Sequence, residues 1–201
     1  MGKRMTETTD TLGQEGGWLA KTSYALFDVG NSAVGAMHAT FIFAVYFASA
    51  VAPENGTSYW GYTTGAAALI VAILGPILGG LADSRAKRKM FLGVVVLVGV
   101  ISTSVLWKVE PNESFIWFAL IFSFFSILAN ELMFVFYNAL LPSVASKKNM
   151  GRVSGVGWAV GYFGAIVALG IALAVFIMPE KVPFGLDKEN SEHVRATMIL
   201  A

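Results

Sequence analysis

The sequence contains no cysteine, and that absence removes three chemistries at once. A disulfide framework, a thiolate metal site and a cysteine nucleophile are all excluded. Charge is the second scarcity. Only 13% of the 201 residues are Asp, Glu, Lys or Arg, about half the share usual in a soluble domain. Histidine occurs only as His38 and His193, far apart and on unlike segments. Neither a metal cluster nor a hydrolase site can be built from them, so no metal, cofactor or enzymatic activity is expected. The net charge of +1 is uninformative as a total, and no nucleic-acid partner is expected.

What fills the chain instead is apolar. Hydrophobic residues make up 56% of it and the mean hydropathy is +0.66, more than a polar surface could cover. The uncharged runs count the membrane spans. Residues 29–53, 55–82, 90–107 and 153–179 carry no full charge, and 114–146 carry only Glu131. Each is long enough for a helix of roughly 20 apolar residues to cross a bilayer. Spans are expected near 24–52, 59–82, 90–107, 114–141 and 153–178, and residues 194–201 read as the start of a sixth. Residues 1–22, polar and glycine-rich, read as a flexible tail. The loop of residues 179–193 opens with Pro-Glu-Lys-Val-Pro-Phe-Gly and reads as turns.

Orientation follows from the basic residues. Ten of the 14 lie on alternate links: Lys3, Arg4 and Lys21; Arg85, Lys87, Arg88 and Lys89; Lys147, Lys148 and Arg152. That split puts the N-terminus in the cytoplasm; the plasma (inner) membrane is the expected location.

Polar residues within the spans fall on stripes. At helical spacing Asp28, Asn31, Gly35, His38, Ile42 and Tyr46 share a face of span one within about 80°. Ser123, Ser126, Asn130, Glu131, Phe134, Tyr137 and Asn138 share one in span four, about 140° wide. Lipid does not tolerate such faces, so they look into the bundle or a wet cavity, and two of them suggest a solute path. Glu131 sits roughly 14 Å from the inner end of its helix, near the midplane. An acid there must pair, face water or hold a proton. Its functional reading is a proton-coupling or substrate-ammonium site, and its structural reading a protonated acid or a packed ion pair that fixes helix register. Asp28 suits either the solute path or a helix N-terminus. His38 could shuttle protons or bond across helices. Asn31, Asn130 and Asn138 could bind solute or a neighbouring helix.

Glycines mark close contacts. Gly157 and Gly161 form a GxxxG at the start of span five, a spacing that lets two helix backbones approach. Pro76 in span two frees the Ala72 carbonyl and should bend that helix.

A resemblance joins these features. Gly79-Gly80-Leu81-Ala82-Asp83-Ser84-Arg85-Ala86-Lys87-Arg88-Lys89 is similar to the link between the second and third helices of the major facilitator superfamily. Gly79, Asp83, Arg85, Arg88 and Lys89 match, while Ser84 replaces a basic residue and Ala86 a glycine. The segments from Tyr24 to Ala33, from Tyr137 to Pro142 and from Gly151 to Tyr162 resemble its Atg22-like permease branch, also called UMF1. The resemblance implies an all-α polytopic bundle working by alternating access, with twelve helices in two halves built from inverted repeats. The first and fourth helices would line the central cavity, and Asp83 with its basic partners would gate the inner side. Fungal relatives are linked to amino-acid efflux from the vacuole, which makes an amino acid the candidate among small solutes. The chain then corresponds to the N-terminal half, five spans and the start of a sixth. The partners expected are a small-molecule solute, the lipid bilayer, and the missing C-terminal half or a homodimer partner. The alternatives are a membrane interaction or regulatory subunit that moves no solute, or a non-functional truncated half-transporter.

Overall fold

The computed structural model describes residues 16–84 and 87–201; Arg85 and residues 1–15 of the expected tail lie outside the described residues. Five long helices carry the fold. They are α1 (Trp18–Val51), α2 (Gly56–Ser84), α3 (Arg88–Lys108), α4 (Glu113–Val144) and α5 (Met150–Ile177). Two short helices follow, α6 (Glu192–Arg195) and α7 (Thr197–Leu200), and the described residues contain no strand. Even the 21 residues of α3 reach roughly 30 Å, the depth of a bilayer's hydrocarbon core. Inside lipid a helix satisfies its own backbone, which is why such apolar runs take this form.

The burial pattern is the reverse of a soluble protein's. Leu69, Ile73 and Ile77 of α2, Leu97 and Ile101 of α3, Trp117 of α4 and Ile166 of α5 are all exposed. Only 17% of the most apolar stretch of α2 is buried. Water would penalise that surface by about 25 cal/mol for each Å², so the solvent it fits is lipid. This is an integral, multi-pass membrane protein.

Packing sorts the helices into two groups. α1 lies along α5, whereas α4 packs on both α2 and α3 and meets α1 more lightly. At one end Met37, Phe43, Phe47 and Val51 of α1 close on Leu106, Leu120 and Met198. Tyr46 Oη donates to the Val109 carbonyl there, at 2.8 Å. At the other end Leu132 and Phe136 of α4 pack with Ala82, Leu78 and Phe91.

Several boundaries depart from the sequence reading. α1 begins at Trp18, inside the segment expected as tail, and the Gly16 amide donates to the Val144 carbonyl at 3.1 Å, which ties that end to α4. α1 is also not uniform, because Gly35–Phe41 and Phe47–Val51 are wound as π-helix. α2 continues through Pro76 as one helix. In the loop after α5, Phe184 (φ 65°) and Gly185 (φ 70°) take left-handed turns. The expected start of a sixth span is two short helices broken at Ala196. Arg195 anchors them: it is buried, its Nη1 donates to the Trp107 carbonyl at 3.2 Å, and its guanidinium stands 5.4 Å from the Trp107 ring centroid.

The α1–α5 contact is close because glycines line it. A Cβ at Gly164 would come within 3.0 Å of Val29 Cβ, whereas one at Gly170 would meet nothing within 4 Å. Gly164→Val should therefore cost about 1–3 kcal/mol through overpacking. It should lower the melting temperature of the detergent-purified protein, while Gly170→Val leaves it unchanged.

Candidate functional site

α1, α4 and α5 enclose a cavity of about 410 Å³ that is open on one side. Its polar wall comes from Asp28 and Asn31 on α1 and from Asn130 and Glu131 on α4. Its apolar wall includes Phe134 of α4 and Trp158 and Tyr162 of α5. Five of the six residues expected on a solute path, Asp28, Asn31, His38, Asn130 and Glu131, border this one space. Asn138 does not. It is exposed, seven residues beyond Glu131 and so roughly 10 Å along the helix.

The residues in the wall differ in how far their bonding is used up. Asn130 Nδ2 donates to both the Oδ1 of Asn31, at 2.9 Å, and its backbone carbonyl, at 3.0 Å. These two asparagines tie α4 to α1. His38 is 1% exposed, with Nε2 3.0 Å from Ser123 Oγ and Nδ1 3.2 Å from Ser126 Oγ. Ser126 Oγ lies 2.7 Å from Thr103 Oγ1, so the network runs from α1 through α4 to α3. A neutral imidazole has one donor and one acceptor nitrogen, and the two hydroxyls can serve both. Of the two readings the sequence left open for His38, the structure shows the bond across helices.

The acids are different. Asp28 is 3% exposed, and its Oδ1 is buried without a hydrogen-bond partner. Its other oxygen lies against Gly161, where any added Cβ would collide with it. Gly157 makes the same kind of room for Tyr137, whose Oη would be 3.0 Å from a Cβ there. Tyr137 stacks on Tyr24 with ring centroids 4.0 Å apart and donates to the Tyr24 carbonyl at 3.1 Å. Glu131 is exposed at the open side of the cavity.

The basic link lies at the other group of helices. Arg88 Nε pairs with the Asp83 carboxylate, and Arg88 Nη1 donates to the Ala139 carbonyl at 2.8 Å. The ion pair is half-exposed and contributes little alone, but the Ala139 bond fastens the link to α4. Lys89 is exposed. A Cβ at Gly79 would make only an ordinary contact with Val135, at 3.5 Å. Arg85 lies outside the described residues.

Comparison with known proteins gives this bundle its place. The family described as "Vacuole effluxer Atg22 like" matches residues 43–201. The chain belongs to this Atg22-like family, a branch of the major facilitator superfamily. The chain is similar to YxiO of Bacillus subtilis (strain 168), named as an uncharacterized MFS-type transporter, at 36% identity over 166 residues. That match covers 80% of this chain and 38% of YxiO. An uncharacterized protein of Aquifex aeolicus (strain VF5) is 26% identical over 147 residues, 73% of this chain and 36% of the relative. The chain thus spans less than two fifths of the length of these relatives. No solved structure matches it.

Three features of the site were not read from the sequence. Trp158 and Tyr162 stand one turn apart on α5, and their spacing was the available signal. Thr103 joins the histidine network from a span that showed no polar stripe. The mutual bonding of Asn31 and Asn130 has no sequence signature. The network also yields a stability prediction. Ser126→Ala strips a partner from both His38 and Thr103, and leaving buried groups unsatisfied costs about 1–3 kcal/mol. Detergent melting should show that loss, while Ser49→Ala, which removes only an exposed bond to the Val45 carbonyl, should melt as wild type.

Proposed function

We propose that this chain forms the first half of a secondary transporter that moves a small solute across the membrane by alternating access. The observation that carries this reading is the cavity shared by Asp28 and Glu131 between α1, α4 and α5. An acid facing hydrocarbon costs about 2.5–3.5 kcal/mol on insertion scales, and two of them in one cavity make sense where water and solute enter. In this reading α1 and α4 supply one wall of the path, and a second helical half supplies the other. That half comes from the same polypeptide or from a second copy. The Asp83–Arg88–Ala139 contacts belong to the inner gate, and Gly79, Arg85 and Lys89 are assigned to it from the sequence motif.

Glu131 is the proton carrier, because it is the acid at the open side of the cavity and pairs with no other described side chain. The solute is an amino acid, as the family's fungal members suggest. The basic links lie in the cytoplasm with the N-terminus, and the membrane is the plasma membrane. Transport rather than catalysis is the activity. The test is uptake of radiolabelled amino acids into vesicles holding the full-length protein, with and without an imposed pH gradient. Glu131→Gln should abolish gradient-driven accumulation while exchange at equal pH persists. Accumulation equal to wild type would remove Glu131 from proton coupling. Absence of any flux in the wild-type protein, across a panel of small solutes, would contradict transport itself.

A further inference from the structure

The cavity between α1, α4 and α5 has a chemical bias. Its polar side chains have largely spent their hydrogen bonds on one another: Asn130 on Asn31, and His38 on Ser123 and Ser126. Two carboxyl groups remain. Asp28 is buried to 3% exposure with one oxygen unpartnered, and Glu131 faces the open side. Among the described residues no lysine or arginine borders the space. Its aromatic side is formed by Trp158 and Tyr162, which are 46% and 60% exposed, with ring centroids 5.8 Å apart.

From this arrangement we infer that the cavity binds a solute through a protonated amine, with Asp28 as its counter-ion and Trp158 and Tyr162 as its aromatic wall. A buried carboxylate lacking a protein partner is stabilised by a cationic N–H donor. Aromatic faces within about 6 Å attract the same cation. An anionic solute would meet repulsion from both acids and find no lysine or arginine among the described lining residues. A carboxylate on the solute is thus not recognised by this half, and a simple amine satisfies it as well as an amino acid does. The volume of about 410 Å³ falls in the range of about 300–1,000 Å³ usual for small-ligand sites.

The inference rests on the cavity being the solute path proposed above, and it is tested by binding rather than by flux. Phenethylamine, phenylalanine, 2-phenylethanol and phenylacetate would be titrated by calorimetry into the full-length protein in detergent. Phenethylamine and phenylalanine should bind, and 2-phenylethanol and phenylacetate should not. Asp28→Asn should weaken amine binding by on the order of tenfold to a hundredfold, the scale of a lost charged hydrogen bond. Trp158→Leu, at a half-exposed position, should weaken it about threefold or more. The Trp158 variant keeps the test decisive if Asp28→Asn does not fold. Equal binding of alcohol and amine, phenylacetate binding as tightly as the amine, or wild-type amine affinity in both variants would overturn the inference. Any of those results would leave transport untouched. Amine binding without flux in vesicles would instead sustain the inference and contradict the transporter reading.

Discussion

The close approach of α1 to α5 is the constraint on which the rest of this bundle depends. Gly157, Gly161 and Gly164 repeat on one face of α5, and each is filled by something from the other helices: the Tyr137 hydroxyl, the Asp28 carboxyl and the Val29 side chain. A side chain at Gly161 would drive Asp28 from its seat. Because lipid offers no hydrophobic drive between helices, contacts of this kind come from van der Waals fit between small residues. The fit does more than hold two helices. It sets an acid in the wall of the cavity and leaves Trp158 and Tyr162, farther round the same helix, at the opening.

Polar groups inside a bilayer are costly, and the bundle treats them in two ways. Asn31 with Asn130, and His38 with Ser123, Ser126 and Thr103, are closed networks that fasten α1 to α4 and α4 to α3. A satisfied network of this kind is rigid and specifies one arrangement. Asp28 and Glu131 stay outside those networks. The division explains why so many polar residues sit on one stripe. Some position the wall, and the two acids are left as its chemistry.

The five spans were legible because uncharged runs of bilayer length leave a chain few other folds. The faces of α1 and α4 were legible because Asp28 and Asn31, or Asn130 and Glu131, keep helical spacing from their neighbours. The π-turns of Gly35–Phe41 were not, since a uniform helical period carries no mark of them. Trp158 and Tyr162 escaped for another reason. On a span apolar all round, an aromatic pair facing a cavity has the same hydropathy as one facing lipid. The start of α1 at Trp18 was hidden by the polar composition around Lys21, which reads as tail although its backbone is helical.

Whether the α1–α4–α5 cavity is wet in the membrane can be measured directly, because these 201 residues hold no cysteine and any cysteine elsewhere in the full-length protein can be replaced. A single cysteine at Glu131→Cys, in the full-length protein in its membrane, would be exposed to a hydrophilic thiol reagent, with Ile73→Cys on the outer face of α2 as the lipid reference. Rapid modification is expected at position 131 and almost none at 73. Modification at 131 no faster than at 73 would show that Glu131 faces lipid or packed protein, and the solute path described here would not exist.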